Sequence, residues 1–133
     1  MTLLIDQWLA TYFDDVVGRQ IESVEVSRKA VVYADGTVPK RSNCHANVDR
    51  WVLENPGCEA VRGWAISARM GSAIMLDAHS VVRAPDGALV DITLKPDDQR
   101  APFVLHKGPE AEFEQVRSRV NQIAWPPRTG LAG

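Results

Sequence analysis

The chain is poor in several things at once. Its 133 residues include only two cysteines, Cys44 and Cys58. Two thiols cannot make a disulfide framework or a four-cysteine zinc site, and they fit a reducing compartment. No apolar run approaches the roughly 18 residues of a membrane span, so no membrane partner is expected. The first residues, Met1-Thr2-Leu3-Leu4-Ile5-Asp6-Gln7-Trp8, lack the basic stretch and small-residue cleavage site of a secretory leader. A cytoplasmic protein is therefore expected, and a leaderless piece of a larger secreted or phage-borne polypeptide would read the same way. Positive charge is not in excess either, with Lys plus Arg at 15, Asp plus Glu at 17 and a net charge of −2. Such a surface has no basic surplus to neutralise a phosphate backbone, which argues against nucleic acid as a partner. Repeats, linkers and low-complexity segments are also missing.

What is present is ordinary globular material, 45% hydrophobic and 24% charged. The length predicts one domain over residues 1–127, able to bury about two-thirds of its unfolded surface, and a frayed tail over 128–133. Leu4, Ile5, Trp8, Leu9, Tyr12 and Val16 recur at helical spacing and predict a helix over 3–16, ending near Gly18. Ile21 to Val26 and Ala30 to Tyr33 are short β-like runs, followed by a polar loop over 35–41. Ser42 or Asn43 can cap a helix reaching about Glu54, stopped by Asn55-Pro56-Gly57. Its apolar positions Cys44, Val48, Trp51 and Val52 share one face, which places Cys44 in the first turn and toward the protein. A strand is predicted over 59–67 and a loop with a short apolar piece over 69–77. Two strands, 79–84 and 88–94, flank Pro85-Asp86-Gly87. A connection over 95–108 leads to a second amphipathic helix over 109–125, with Phe113, Val116, Val120 and Ile123 on one face.

The hairpin permits a geometric deduction. Ala84-Pro85-Asp86-Gly87 suits a type I turn closed by a left-handed glycine, a three-residue loop in which Ala84 pairs with Ala88. Val81 then faces Asp91, and His79 becomes the diagonal neighbour of Asp91 on the same face, about 7–8 Å away at the backbone. An imidazole and a carboxylate span that gap. Asp91, set between Val90 and Ile92, needs a partner if it faces inward; His79 is the natural one, with Arg83 or a backbone group as alternatives. A thiol in the first turn of a helix meets the positive end of the helix dipole and unpaired N–H groups, both of which favour thiolate. With a histidine to take its proton and a carboxylate to orient that histidine, Cys44, His79 and Asp91 supply the parts of nucleophilic acyl chemistry.

Asn43-Cys44-His45-Ala46-Asn47, Gly63-Trp64-Ala65, Ala78-His79-Ser80-Val81-Val82, Asp86-Gly87 and Val90-Asp91-Ile92-Thr93 together resemble the papain-like fold, in its transglutaminase-like and small bacterial cysteine-peptidase branches. The likeness covers about residues 42–94. It implies an α+β fold in which an antiparallel sheet packs on the Cys-bearing helix, with N- and C-terminal helices completing it. It also implies Cys44 as nucleophile, His79 as general base and Asp91 as orienting acid. The papain branch carries a Gln six residues before the cysteine to complete the oxyanion hole; here that position is Val38. The backbone N–H of Cys44, with Asn43 or Asn47, is the remaining candidate for that task. Asn47 could equally be structural, and Trp64 either plain core or a shield for the His79–Asp91 bond. His45 is expected on another helix face, at the surface or on the substrate side.

The expected substrate is a peptide, a protein side-chain amide or a small amide or ester, processed without cofactor or metal. Two alternatives stand beside this reading. One is an inactive papain-like scaffold serving as a binding or regulatory module. The other is a metal site built from Cys44, His45 and His79 with Asp77 or Asp91, although no Cys-x-x-Cys or His-Glu-x-x-His spacing supports it.

Overall fold

A computed structural model describes residues 6–93 and 101–127. Over these the chain is α+β, with three α-helices and a mixed six-stranded sheet. Helix α1 runs Gln7–Gly18 and buries Leu9, Phe13 and Val16, one stripe at spacings of three and four. Trp8, expected in that stripe, is instead half-exposed, with the Arg119 guanidinium 5.8 Å above its ring. Leu4 and Ile5 lie outside the described residues. The stretch over 21–26 forms a 3₁₀ turn, Gln20–Glu22, and a lone bridge from Val24 to Phe103; strand β1 is only Ser27–Arg28. Residues 30–33 form no strand. Tyr33 starts a turn in which Gly36, at φ 87°, donates to the Tyr33 carbonyl at 2.9 Å.

Helix α2 runs Cys44–Glu54 and strand β2 Glu59–Met70. Strand β3 is Ala73–Arg83, so the loop expected over 69–77 is largely the second arm of a long hairpin turning at Gly71, φ 64°. The exposed run Ala68-Arg69-Met70 carries no alternation that would have marked it as strand. Only its pairing with Ala73, Ile74 and Met75 makes it one. Strand β4, Leu89–Asp91, pairs with β3 in the register Val82–Val90 and Arg83–Leu89. The loop between them is the expected one. Ala84 donates to the Ala88 carbonyl at 2.8 Å, Gly87 to that of Ala84 at 2.8 Å, and Gly87 sits at φ 90°.

Strand β5, Phe103–Leu105, lies within what the sequence presented as a connection, and residues 94–100 are not described. Helix α3 stops at Arg119, and Gln122–Trp125 is strand β6 rather than the last turns of a helix. The reason is periodicity. Ile123 and Trp125 are buried while Gln122 is exposed, a two-residue alternation that fits the edge of β3. The last described element is thus a strand, and the expected tail over 128–133 lies outside the described residues.

The sheet order is β1-β4-β3-β2-β5, with β6 also on β3. It is mixed and not wholly antiparallel as expected, because β1 runs parallel to β4. On one face Trp64, Ile66, Ile74, Leu76 and Val104 pack against Phe13 of α1 and Phe113 of α3. Farther along, Val82 and Ile92 receive Val48 of α2. Val26, Val81 and Phe103 form a smaller cluster with Val61 and Leu105. Full burial of each such side chain contributes about 1.5–3 kcal/mol.

Candidate active site

The site lies where, among the described residues, no strand pairs with one stretch of the β3 edge. Strand β6 covers that edge along Ile74–Asp77 and β4 covers it at Val82–Arg83. Between these stretches lie His79, Ser80 and Val81, with Ala78 still donating to the Asn121 carbonyl at 2.9 Å, and the start of α2 is brought to the same place. The result is a cleft of about 330 Å³, lined by Arg41, Ser42, Cys44 and His45 from the helix side, and by Asp77, Ala78 and His79 from the sheet. Thr93 and Asn121 complete its wall. Anchoring α2 is a packing matter. Val48 is fully buried against Val82 and Ile92, and Cys44 lies one turn before it on the same side.

His79 and Asp91 meet as the hairpin register requires. His79 Nε2 lies 2.6 Å from Asp91 Oδ2, and both side chains are buried. Asp91 Oδ1 accepts the Thr93 N–H at 3.0 Å. Burial alone would push the His79 imidazole down. Hydrogen bonding to Asp91 and to Cys44, with their negative charge, overcomes it and raises the pKa to about 9. Since Nε2 is held by the carboxylate, Nδ1 is the nitrogen left for Cys44.

The opposite shift occurs at the thiol. Burial raises the Cys44 pKa, but hydrogen bonds from His45 and His79 and the charge of His79 bring it down to about 6. The helix end works in the same direction. No acidic residue stands in the first turn of α2, and its N-cap Asn43 makes no side-chain capping bond, so the positive end of the dipole is left to the sulfur. Ser42, immediately ahead, takes a left-handed φ of 60°, a conformation uncommon for a residue with a Cβ, as the chain turns into the helix. Both shifts favour a thiolate beside an imidazolium near neutral pH.

The other expected site residues are placed differently. Asn47 is buried with both amide protons engaged, one on the Lys40 carbonyl at 2.7 Å and one on Thr93 Oγ1 at 3.0 Å. Its carboxamide ties the loop before α2 to the end of β4 and has no proton to offer a substrate. Asn43 borders a separate groove with Tyr33, Lys40 and Arg50. Trp64 is fully buried in the core on the other face of the sheet from His79, and its indole N–H donates to Tyr12 Oη at 2.8 Å. It is core, not the shield. That position belongs to Phe103, whose ring stands edge-on to His79 at 6.1 Å between centroids. Gly63, directly opposite His79 in the ladder, makes room for it: a Cβ there would lie 2.6 Å from the Phe103 ring and collide with the Val104 carbonyl. A glycine inside an apolar strand was the one sequence signal of this close approach.

His45, expected on another helix face at the surface or on the substrate side, lines the cleft, with Nδ1 2.6 Å from Ser80 Oγ. Cys58 packs beside Val82 and Ile92, and His106 is bound by Tyr12 Oη at 2.7 Å, away from the cleft. Among the described residues no group of three or more His, Cys, Asp and Glu side chains is arranged to hold a metal ion, and no helix is long and apolar enough to cross a membrane. No protein-family model, curated protein or solved structure matches this chain.

Proposed function

We propose that the protein performs cysteine-dependent acyl chemistry on an amide or ester, in the manner of the papain-like and transglutaminase-like enzymes its motifs resemble. The observation that carries this reading is the charge separation at Cys44. A thiol lowered to about 6 stands beside an imidazole raised to about 9, which is itself held by a buried carboxylate. A structural cysteine has no use for such an arrangement, whereas a nucleophile needs it.

The chemistry proceeds in two halves. Cys44 Sγ attacks the carbonyl carbon, the C–S bond forms, and the carbonyl π pair moves onto oxygen. The oxyanion collapses to a thioester and the C–N or C–O bond breaks. His79 gives its Nδ1 proton to the leaving amine or alcohol. Water, or an amine in a transfer reaction, then attacks the thioester and yields a proton to His79, and thiolate is regenerated. Asp91 holds the ring by Nε2 throughout and stabilises the imidazolium. The small cleft suits one side chain or a short peptide segment better than an extended chain.

The test is the rate of Cys44 alkylation by iodoacetamide from pH 4 to 9, resolved from Cys58 by peptide mass spectrometry, in wild type and in His79→Ala. A limb near 6 that moves toward 8.5 in the variant supports the reading. A Cys44 titrating as an ordinary thiol in both proteins removes its basis, and the chain then reads as an inactive scaffold.

A further inference from the structure

We propose that His45 supplies, through Nε2–H, the side-chain donor that holds the oxyanion formed when Cys44 attacks a carbonyl. This rests on the acyl chemistry above. The orientation of His45 is set from outside the cleft, at Arg62. Its guanidinium is almost buried, pinned by Asp49 through Nη2 and by Glu110 Oε1 at 2.7 Å through Nε. The remaining nitrogen, Nη1, lies 2.9 Å from Ser80 Oγ. A guanidinium can only donate, so Ser80 accepts there, and among the described residues the hydrogen-bond partner that can take its own hydroxyl proton is His45 Nδ1, 2.6 Å away. Ser80 is fully buried, which removes water as a competitor for that proton. The network therefore assigns the tautomer: Nδ1 accepts and the ring proton is on Nε2.

The imidazole is held in place as well as in tautomer. Phe113 stands against it at 5.9 Å with the rings steeply inclined, and the ring borders the cleft beside Cys44. At rest the His45 ring is among the groups that hold the Cys44 pKa down. When the C–S bond forms, the negative charge leaves sulfur and appears on the oxygen one bond beyond it, and a fixed N–H beside the sulfur is then in position to follow it. His79 cannot perform this task, because its proton goes to the leaving group. Asn47 cannot, because both its amide protons are committed. Val38 has none. Donors already aimed where charge develops need no reorganisation during the reaction, and the loss of one typically lowers the rate by about 10²–10³-fold.

The experiment compares two reagents at Cys44. Iodoacetamide requires only the thiolate. p-Nitrophenyl acetate requires a tetrahedral oxyanion before p-nitrophenolate leaves and the acetyl group remains on Sγ. Each rate is taken at the plateau of that variant's own pH profile, which removes differences in thiolate fraction. In His45→Ala the limiting acetylation rate should fall by about 10²–10³-fold while limiting alkylation changes little. His45→Gln, which retains an N–H, should recover part of the loss, and Ser80→Ala should show the same selective defect in smaller measure. The proposal is overturned if His45→Ala is acetylated like wild type, or if both reagents slow in parallel, which would make His45 only a support for the thiol. If wild-type Cys44 alkylates with a limb near 6 but is never acetylated, the acyl chemistry itself fails and takes this role with it.

Discussion

Two imidazoles flank one sulfur, and they differ in what stands behind them. His79 projects from the sheet and rests on Asp91, a buried carboxylate. His45 projects from the helix and rests on Ser80, a buried hydroxyl that Arg62 already occupies from its other side. A carboxylate stabilises a ring that carries positive charge, and a hydroxyl brings no charge of its own to the ring it holds. On the proposed reading, the same side chain is set to two uses by its neighbours, one to move a proton and one to hold still. Environment, not residue type, divides the labour.

The largest test of this division is removal of the sheet-side pair. Cys44→Ala should abolish acyl transfer altogether. His79→Ala should lower kcat/KM by on the order of 10³-fold or more and move the alkylation midpoint from about 6 toward the ordinary thiol range. Asp91→Asn keeps the shape and discards the charge. It should cost about 10²–10⁴-fold in kcat/KM. It should also bring the descending limb of the pH profile, set by His79 near 9, to lower pH. A descending limb that stayed near 9 in that variant would mean that the carboxylate does not set the charge of His79.

A change in the wall is expected to matter less. Gly63→Ala forces a methyl group against the Phe103 ring and the Val104 carbonyl, and overpacking of this kind costs about 1–3 kcal/mol. A lower urea midpoint at unchanged m-value would report it. An unchanged midpoint would mean that β5 can slide away from His79 at no cost.

The smallest effect is the most diagnostic of a proton moved and not gained. His79, raised above its unfolded value near 6.5, binds an extra proton in the folded state from there to about 9, so alone it makes stability fall as pH rises through that window. Cys44, lowered from 9.0 to about 6, has released one over nearly the same window and makes stability rise. The two slopes oppose each other, and the pair should leave wild-type stability nearly flat between pH 7 and about 8.5. In Cys44→Ala the part of the His79 shift that Asp91 sustains remains, and stability should fall with pH over a narrower window in denaturant titrations. Parallel wild-type and variant curves would argue against the ion pair.

Much of this was legible in the sequence, and for local reasons. Pro85-Asp86-Gly87 defines a three-residue loop, the loop fixes the register, and the register puts His79 beside Asp91. Asn55-Pro56-Gly57 and the spacing of Cys44, Val48 and Trp51 placed α2 and its first residue. Where the reading failed, the deciding interaction was distant. Gln122–Trp125 carries apolar residues that fit a helical stripe as well as a strand, and only the open edge of β3 selects the strand. Trp64 and Phe103 could exchange roles on paper, because which face of a sheet a residue occupies follows from pairing and not from composition.

The sequence by itself therefore determined the helix that opens on Cys44 and the hairpin that joins His79 to Asp91, since turns and helix starts are encoded within a few residues. Tertiary structure alone decided that these two pieces meet at a gap in the edge of β3, that Asn47 is spent on the loop, and that His45 faces the thiol. Those outcomes depend on how Val48 packs against Val82 and Ile92, and on Arg62 reaching Ser80 across a strand pair. Contacts between residues distant in the chain are selected by the joint packing of the whole core, and no short window of sequence contains them.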